Sequence, residues 1–183
     1  MKVKEIIKRV ARVLDVYGLE DYLEREVSDD VKRSEQDKQT LIDCLNCVLR
    51  QTAFEKIRLV AEQTFKPKNG EVALSEFAFK PIKILRVARK DKKILCEFLP
   101  LSVKVGDVDE VTIKYRYLPE KADYSGDVPS FLEDEALLLY GVAAEYCLRE
   151  NRVEEAMTWR SRFESLLSAA YPSSFYIKER RFV

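Results

Sequence analysis

Two cysteines three positions apart are the most obvious candidates for chemistry, because Cys44-Leu45-Asn46-Cys47 forms a C-x-x-C pair. Such a pair contributes to a zinc site when two further ligands lie close by. The chain has no histidine, so only Cys96, in a predicted strand, and Cys147, in a predicted apolar helix, remain as ligands. Cys44 and Cys47 fall among apolar helical positions, where free cysteine packs as a small hydrophobic side chain. We therefore expect structural cysteines and no metal.

Acidic residues form the second group of candidates, since Glu133-Asp134-Glu135 resembles a magnesium-binding cluster. On a helix, consecutive side chains point about 100° apart and do not converge on one ion. An acidic first turn that complements the helix dipole explains them. Glu145 and Glu154 lack the Glu-x-x-His pairs of di-iron bundles, and phosphate-binding loops and nucleophile elbows are absent from the sequence. We expect no cofactor and no enzymatic activity; carboxylates would be the only plausible catalysts of an enzyme.

The composition is that of an ordinary globular protein with no charge excess. The 183 residues allow one core, or two small subdomains that share one. Lys and Arg number 32, as do Asp and Glu, which argues against a strongly DNA-binding or membrane-surface protein. No apolar run approaches the roughly 20 residues that span a bilayer. Basic residues in every turn of the first 14 residues argue against a signal peptide, and the cysteine spacing favours reduced thiols in the cytoplasm.

The first 61 residues are predicted to form two helices. Apolar side chains recur at helical spacing from Val3 to Tyr17, and Gly18 stands where a C-terminal cap is expected. The polar stretch 25–38 is predicted to be a loop, followed by a second helix over about 35–61. Because this helix is long, an internal bend or an earlier end is the alternative.

Residues 62–118 change to a period of two, which predicts a small, mostly antiparallel β module. Asn69-Gly70 is typical of a hairpin turn, and Pro67 either places the preceding strand at an edge or shortens it. Strands are predicted at 82–87, 94–98, 103–105 and 111–117. The last of these, VTIKYRY, alternates between apolar and polar side chains, which indicates a sheet packed on one face.

Residues 119–171 are predicted to form a linker and a C-terminal helical hairpin that packs with residues 1–61. Ser130 and Glu133 fit a capping box at the start of a helix that is almost entirely apolar from 136 to 148. Asn151 tolerates the left-handed conformation that a turn requires, and Tyr171-Pro172 ends the second helix. The fold class is therefore α+β, with helices on both sides of an inserted β module.

Small residues within this hairpin are candidates for a close helix contact. Gly141 lies in mid-helix, where it costs about 1 kcal/mol relative to alanine, and Ala144 enlarges the small patch. A contact within the hairpin and a contact with a neighbouring subunit both explain the pattern. Arg160 and Glu164, four residues apart, are predicted to form a solvated ion pair, with an interface contact as the alternative.

The tail, residues 172–183, mixes aromatic and basic side chains. We expect it to bind a partner, because aromatic residues and arginine are enriched at interface cores. Folding back on its own domain remains the alternative. The candidate binding residues are Phe175, Tyr176, Ile177, Lys178, Arg180, Arg181 and Phe182.

The C-terminal third resembles the head–tail connector proteins of long-tailed bacteriophages. The resemblance rests on ALLLYGVAAEYCL (136–148), EEAMTWRSRF (154–163), Ala169-Ala170-Tyr171 and the basic, aromatic end. The opening residues 1–23 and the inserted strands also look like clostridial and related phage members. The β module departs from the simplest, all-helical members of this family.

This resemblance implies a non-enzymatic subunit of the phage neck. Such subunits form a ring, typically a dodecamer, between the portal protein and the next neck or tail component, and their C-terminal tail grips the portal. DNA passes through the lumen without sequence-specific binding, and no membrane is involved. The implied location is the neck of the virion at the DNA-exit vertex, and the host cytoplasm before assembly. The competing hypothesis is a cytosolic adaptor or regulator outside any virus.

Overall fold

The computed structural model describes residues 1–16, 18–25, 28–90 and 92–172. The fold is α+β, with helices and antiparallel sheets as predicted. The chain divides into two compact units. A helical unit comprises residues 1–51 and the described residues from Lys121 onward, and a β unit comprises Thr52–Glu120. No helix within the described ranges is long and apolar enough to cross a membrane.

The described residues form five α-helices. They are α1 (Val3–Val13), α2 (Leu19–Arg25), α3 (Val31–Thr52), α4 (Glu135–Arg149) and α5 (Val153–Ala170). Helix α4 is the apolar centre of the helical unit, because Leu137, Leu138, Val142 and Cys147 are all fully buried. It packs against both α1 and α5. The predicted hairpin is therefore present, and it packs with the N-terminal helices.

The predicted loop over residues 25–38 is wrong, because α3 already begins at Val31. Asp30 caps this helix, since its side-chain Oδ1 accepts a hydrogen bond from the Arg33 amide at 3.0 Å. The helix also ends earlier than predicted. A single π-helical turn follows over Ala53–Ile57, Arg58 adopts a left-handed conformation with φ of 55°, and Val60 is already in a strand.

The predicted capping box at Ser130 and Glu133 is also wrong. Helix α4 begins at Glu135, and Asp134 is its N-cap, since Asp134 Oδ1 accepts from the Leu137 amide at 3.0 Å. Leu132 is fully buried just before the helix. The other end is as predicted: Asn151 adopts φ of 59° in the turn to α5, and the Arg152 amide donates to the Cys147 carbonyl at 2.8 Å.

The described residues of the β unit form seven strands in two antiparallel sheets. The strands are β1 (Val60–Phe65), β2 (Glu71–Ala73), β3 (Pro81–Arg89), β4 (Lys92–Lys93), β5 (Glu97–Phe98), β6 (Ser102–Lys104) and β7 (Val111–Tyr117). One sheet has the order β1-β7-β3-β4 and the other β2-β6-β5. Their facing side chains form one core, which includes Phe65, Val87, Val103, Ile113 and Tyr115.

Several predictions for the β unit are confirmed. Val111, Ile113 and Tyr115 point into the core, and β1 is an edge strand. Asn69 and Gly70 form the predicted tight turn with φ of 54° and 76°. The predicted strand over 94–98 is confirmed only at Glu97–Phe98, and Leu95 just before it is 92% exposed.

Candidate interaction site on the helical hairpin

Gly141 and Ala144 lie inside the helical unit. Both are buried, and a Cβ added at Gly141 would lie 2.8 Å from Val48 Cγ1 of α3 and 2.9 Å from Phe163 Cε2 of α5. The glycine thus lets three helices of the same chain approach one another. The internal interpretation of the small patch is the one observed, and a subunit contact through these two residues is wrong.

Arg160 and Glu164 form the predicted ion pair on the outside of α5. Arg160 Nε donates to Glu164 Oε1 at 3.1 Å, and its Nη1 lies 3.5 Å from Glu145 Oε1 of α4. The side chain of Glu164 is 60% exposed, so this contact is solvated and weak. The pair helps to fix the Arg160 side chain across the hairpin.

A shallow apolar groove lies beside this ion pair. Its volume is about 330 Å³, and it is lined by Leu148, Ala156, Met157, Arg160, Ser161 and Glu164. Met157 is 68% exposed and Leu148 is 42% exposed, and Val153 near the turn is 54% exposed. We refer to Leu148, Val153 and Met157 as the apolar strip.

The sequence pattern missed this strip. Helical spacing predicts that Val153 shares the buried face of α5 with Ala156 and Phe163, but the structure buries only the latter two. The available signal was that α5 has apolar side chains on more than one face, since Met157 lies away from the Ala156–Phe163 line. A helix with such a broad apolar surface leaves part of it uncovered in a two-helix hairpin.

A second feature of the hairpin is an aromatic cluster. The rings of Tyr140 and Trp159 stack with their centroids 5.7 Å apart, and the guanidinium carbon of Arg162 lies 5.0 Å from the Trp159 centroid. The same guanidinium carbon lies 5.9 Å from the Tyr140 centroid, so the cation–π contacts of Arg162 extend from α5 to α4. Trp159 is only partly buried.

The four cysteines differ in their burial. Cys44 is buried, and burial raises the pKa of its thiol to about 12, whereas Cys47 and Cys96 are exposed. No group of three or more potential ligands occurs among the residues for which the structure gives positions. The polar residue between the two cysteines has a structural role. Asn46 donates to the Ala122 carbonyl at 3.0 Å and accepts from the Ala122 amide at 2.7 Å.

The candidate acidic residues of the hairpin have different structural roles. Asp134 is the cap described above, and Glu135 forms an ion pair with Arg9 of α1. Glu145 faces Arg160, while Glu154 lies exposed in the first turn of α5. These carboxylates are dispersed, so they do not form a catalytic pair.

The predicted tail residues 173–183 lie outside the described residues: Phe175, Tyr176, Ile177, Lys178, Arg180, Arg181 and Phe182. Their attachment point is defined, because α5 ends at Ala170 and Tyr171 Oη donates to the Phe131 carbonyl at 3.2 Å. The tail therefore starts from an anchored helix end on the same hairpin that carries the apolar strip. No known family model and no curated protein sequence matches the chain.

Proposed function

We propose that the chain is a structural subunit of a bacteriophage neck, which forms a ring between the portal protein and the next neck or tail component. The observation that carries this proposal is the apolar strip on the α4–α5 hairpin, the segment in which the resemblance to connector proteins is concentrated. The strip and its groove are suited to packing against another protein surface, since burying apolar area drives association.

The chemistry of the described residues supports a binding role over a catalytic one. The carboxylates are dispersed and Cys44 and Cys147 are buried. In the proposed ring, Met157 and Leu148 contact the neighbouring subunit, and Arg160 supplies a polar rim to that contact. Interfaces commonly combine an apolar centre with such a rim. The tail then remains available for the portal.

The first test concerns the ring. Met157→Lys places a charge in the centre of the apolar strip, and the matched control Val13→Lys places one at an exposed valine of α1 that is 43% exposed. Native mass spectrometry of the full-length chain, alone and co-expressed with the portal protein of the same genome, measures assembly. Met157→Lys should abolish the ring and leave a folded monomer, whereas Val13→Lys should assemble normally. A ring that is unaffected by Met157→Lys contradicts the proposed interface.

The second test concerns the tail. A chain that ends at Pro172 should keep its melting temperature and lose attachment to the portal in a pull-down assay. Arg180→Glu combined with Arg181→Glu should weaken the attachment in the same direction, because arginines pair with carboxylates or carbonyls on a partner. A truncated chain that still binds the portal, or one that unfolds, shows that the tail does not carry portal binding.

A further inference from the structure

The four-stranded sheet of the β unit has one face in the core and one face lined by basic residues. Ile84, Val87, Ile113 and Tyr115 point inward, so the alternate positions of β3 and β7 lie on the opposite face. Four of these positions are cationic: Lys83 and Arg86 on β3, and Lys114 and Arg116 on β7. We call these four residues the basic face. Lys93 of β4 continues it, since it is opposite Ala88.

The strand register sets cations directly opposite cations. Lys83 is the partner of Arg116, and Arg86 is the partner of Lys114. Like charges in directly opposed positions of an antiparallel pair destabilise the sheet. Two such pairs in succession therefore lower the stability of the folded state, so folding does not account for their presence.

Two β-bulges in β3 produce this register. The pairing shifts between Pro81 and Lys83 and again between Ile84 and Arg86, so each shift comes just before one of the β3 cations. Bulges are a common means of redirecting a side chain at a functional site. The extra residues, Ile82 and Leu85, are 37% and 41% exposed.

The two lysines of the basic face carry uncompensated charge. Lys83 and Lys114 are exposed, and in the part of the chain that the structure describes neither forms an ion pair. Glu62 of β1 is opposite Lys114 and is the one acidic residue among the paired outward positions of β1, β3 and β7. Arg116 is held in place by Phe54, since its Nη2 donates to the Phe54 carbonyl at 2.7 Å and its guanidinium lies over the ring.

The β unit as a whole is also basic. Thr52–Glu120 contains 14 Lys and Arg against 10 Asp and Glu, whereas the rest of the chain contains 18 against 22. The net charge of zero is therefore the sum of a positive β unit and a negative remainder of the chain.

We propose that the basic face binds the phosphate backbone of nucleic acid without sequence specificity. Phosphate oxygens would accept from Lys83, Lys114 and Arg86, and the hydroxyl groups of Thr64 and Thr112 on the same face offer further donors. Binding would neutralise the repulsion between the opposed cations. A patch of this size contacts only a few phosphates, so the expected Kd is about 1–100 µM at physiological salt.

Nucleic acid fits this face better than an acidic protein surface does. Two of the four cations are lysines, which are depleted at protein interface cores, and the paired outward positions of β1, β3 and β7 include no aromatic side chain. Lysine, arginine and threonine are common phosphate ligands. This inference does not depend on the proposed neck role, because portal attachment and DNA binding are measured separately.

The test uses the full-length chain and a short fluorescein-labelled DNA duplex of mixed sequence. Fluorescence anisotropy gives Kd across a salt series from about 50 to 200 mM. Lys83→Gln combined with Lys114→Gln should weaken binding about tenfold at the lowest salt and should reduce the slope of log K against log salt by about 1 per lysine. The matched control, Lys68→Gln combined with Lys104→Gln, removes the same charge from the turn before β2 and from β6. This variant should bind like the wild type.

A stability measurement separates binding from folding. Lys83→Glu converts the pair with Arg116 from like to opposite charge, so it should raise the melting temperature by about 1–3 °C while weakening DNA binding. The proposal is overturned if the wild-type chain does not bind the duplex at low salt, or if both double variants lose binding equally. It is also overturned if polyglutamate of equal charge binds more tightly than DNA, since the face would then be a site for acidic protein.

Discussion

Gly141 is the residue on which the packing of three helices depends. Alanine is normally favoured over glycine in mid-helix by about 1 kcal/mol, so the presence of glycine here calls for a steric reason. That reason is the 2.8 Å approach of Val48 Cγ1 and the 2.9 Å approach of Phe163 Cε2 to the missing Cβ. Neither atom can move far, because Val48 and Phe163 are themselves buried. The gain in helix propensity is therefore smaller than the cost of overpacking.

We predict that Gly141→Ala lowers the free energy of unfolding, and that Gly141→Leu lowers it by about 1–3 kcal/mol or more. Chemical denaturation monitored by circular dichroism measures both. Ala136→Leu is the control, because Ala136 is an exposed residue of the same helix. Phe163→Leu in the Gly141→Ala background should restore part of the loss by opening space. A stable Gly141→Leu variant that differs only in oligomeric state would instead place this glycine at a subunit interface.

At the scale of secondary-structure elements, the periodicity of apolar residues identified the helices and strands that bury an apolar face of their own. The hairpin and β7 could be predicted because burial of alternate or helically spaced side chains is visible in the sequence. The start of α3 could not, since the first two turns of this helix are polar. They are held by contacts to residues distant in sequence: Lys38 lies 5.5 Å from the Tyr22 ring centroid and 5.4 Å from that of Tyr124.

Helix starts were hard to place for a related reason. Ser130 and Glu133 satisfy the capping-box spacing, but the buried Leu132 holds this segment in a non-helical turn. The Leu132 amide donates to the Pro129 carbonyl at 3.1 Å, so the helix starts only at Glu135. The apolar strip was missed because sequence spacing does not reveal which of several apolar faces of α5 is covered. The opposed cations of the basic face result from two bulges in β3. The alternation of apolar and polar residues in the sequence does not reveal these bulges.

Substitutions before α4 test whether Asp134 or Ser130 caps this helix. Asp134→Ala removes the acceptor of the Leu137 amide and should cost about 0.5–2 kcal/mol of stability, the usual loss for a helix N-cap. Ser130→Ala should have no measurable effect, because the structure places Ser130 outside the helix. Thermal and denaturant unfolding of the two variants decide between the sites. An equal loss from Ser130→Ala would restore the capping box.

At the scale of the whole molecule, the chain leaves the helical unit after α3 and returns close to the point of departure. The Asn46 side chain bonds to both the amide and the carbonyl of Ala122, and Asn46 is only five residues before Gln51. At 1.5 Å per helical residue, the ends of the helical unit are therefore separated by on the order of 10 Å. The β unit has its own core, so it has the properties of an inserted domain.

We predict that the helical unit folds without this insertion. Replacing residues 53–119 by a short Gly/Ser linker should leave a helical chain that unfolds cooperatively on heating, because α1, α4 and α5 keep their mutual contacts. Asn46→Ala in the shortened chain should cost about 1–3 kcal/mol, since it leaves the buried polar groups of Ala122 unpaired. Gln36→Ala, at an exposed position of the same helix, is the control. Circular dichroism and thermal melts measure these effects. If the shortened chain is unfolded while the full-length chain is folded, the β unit is required for the helical core and is not an independent insertion.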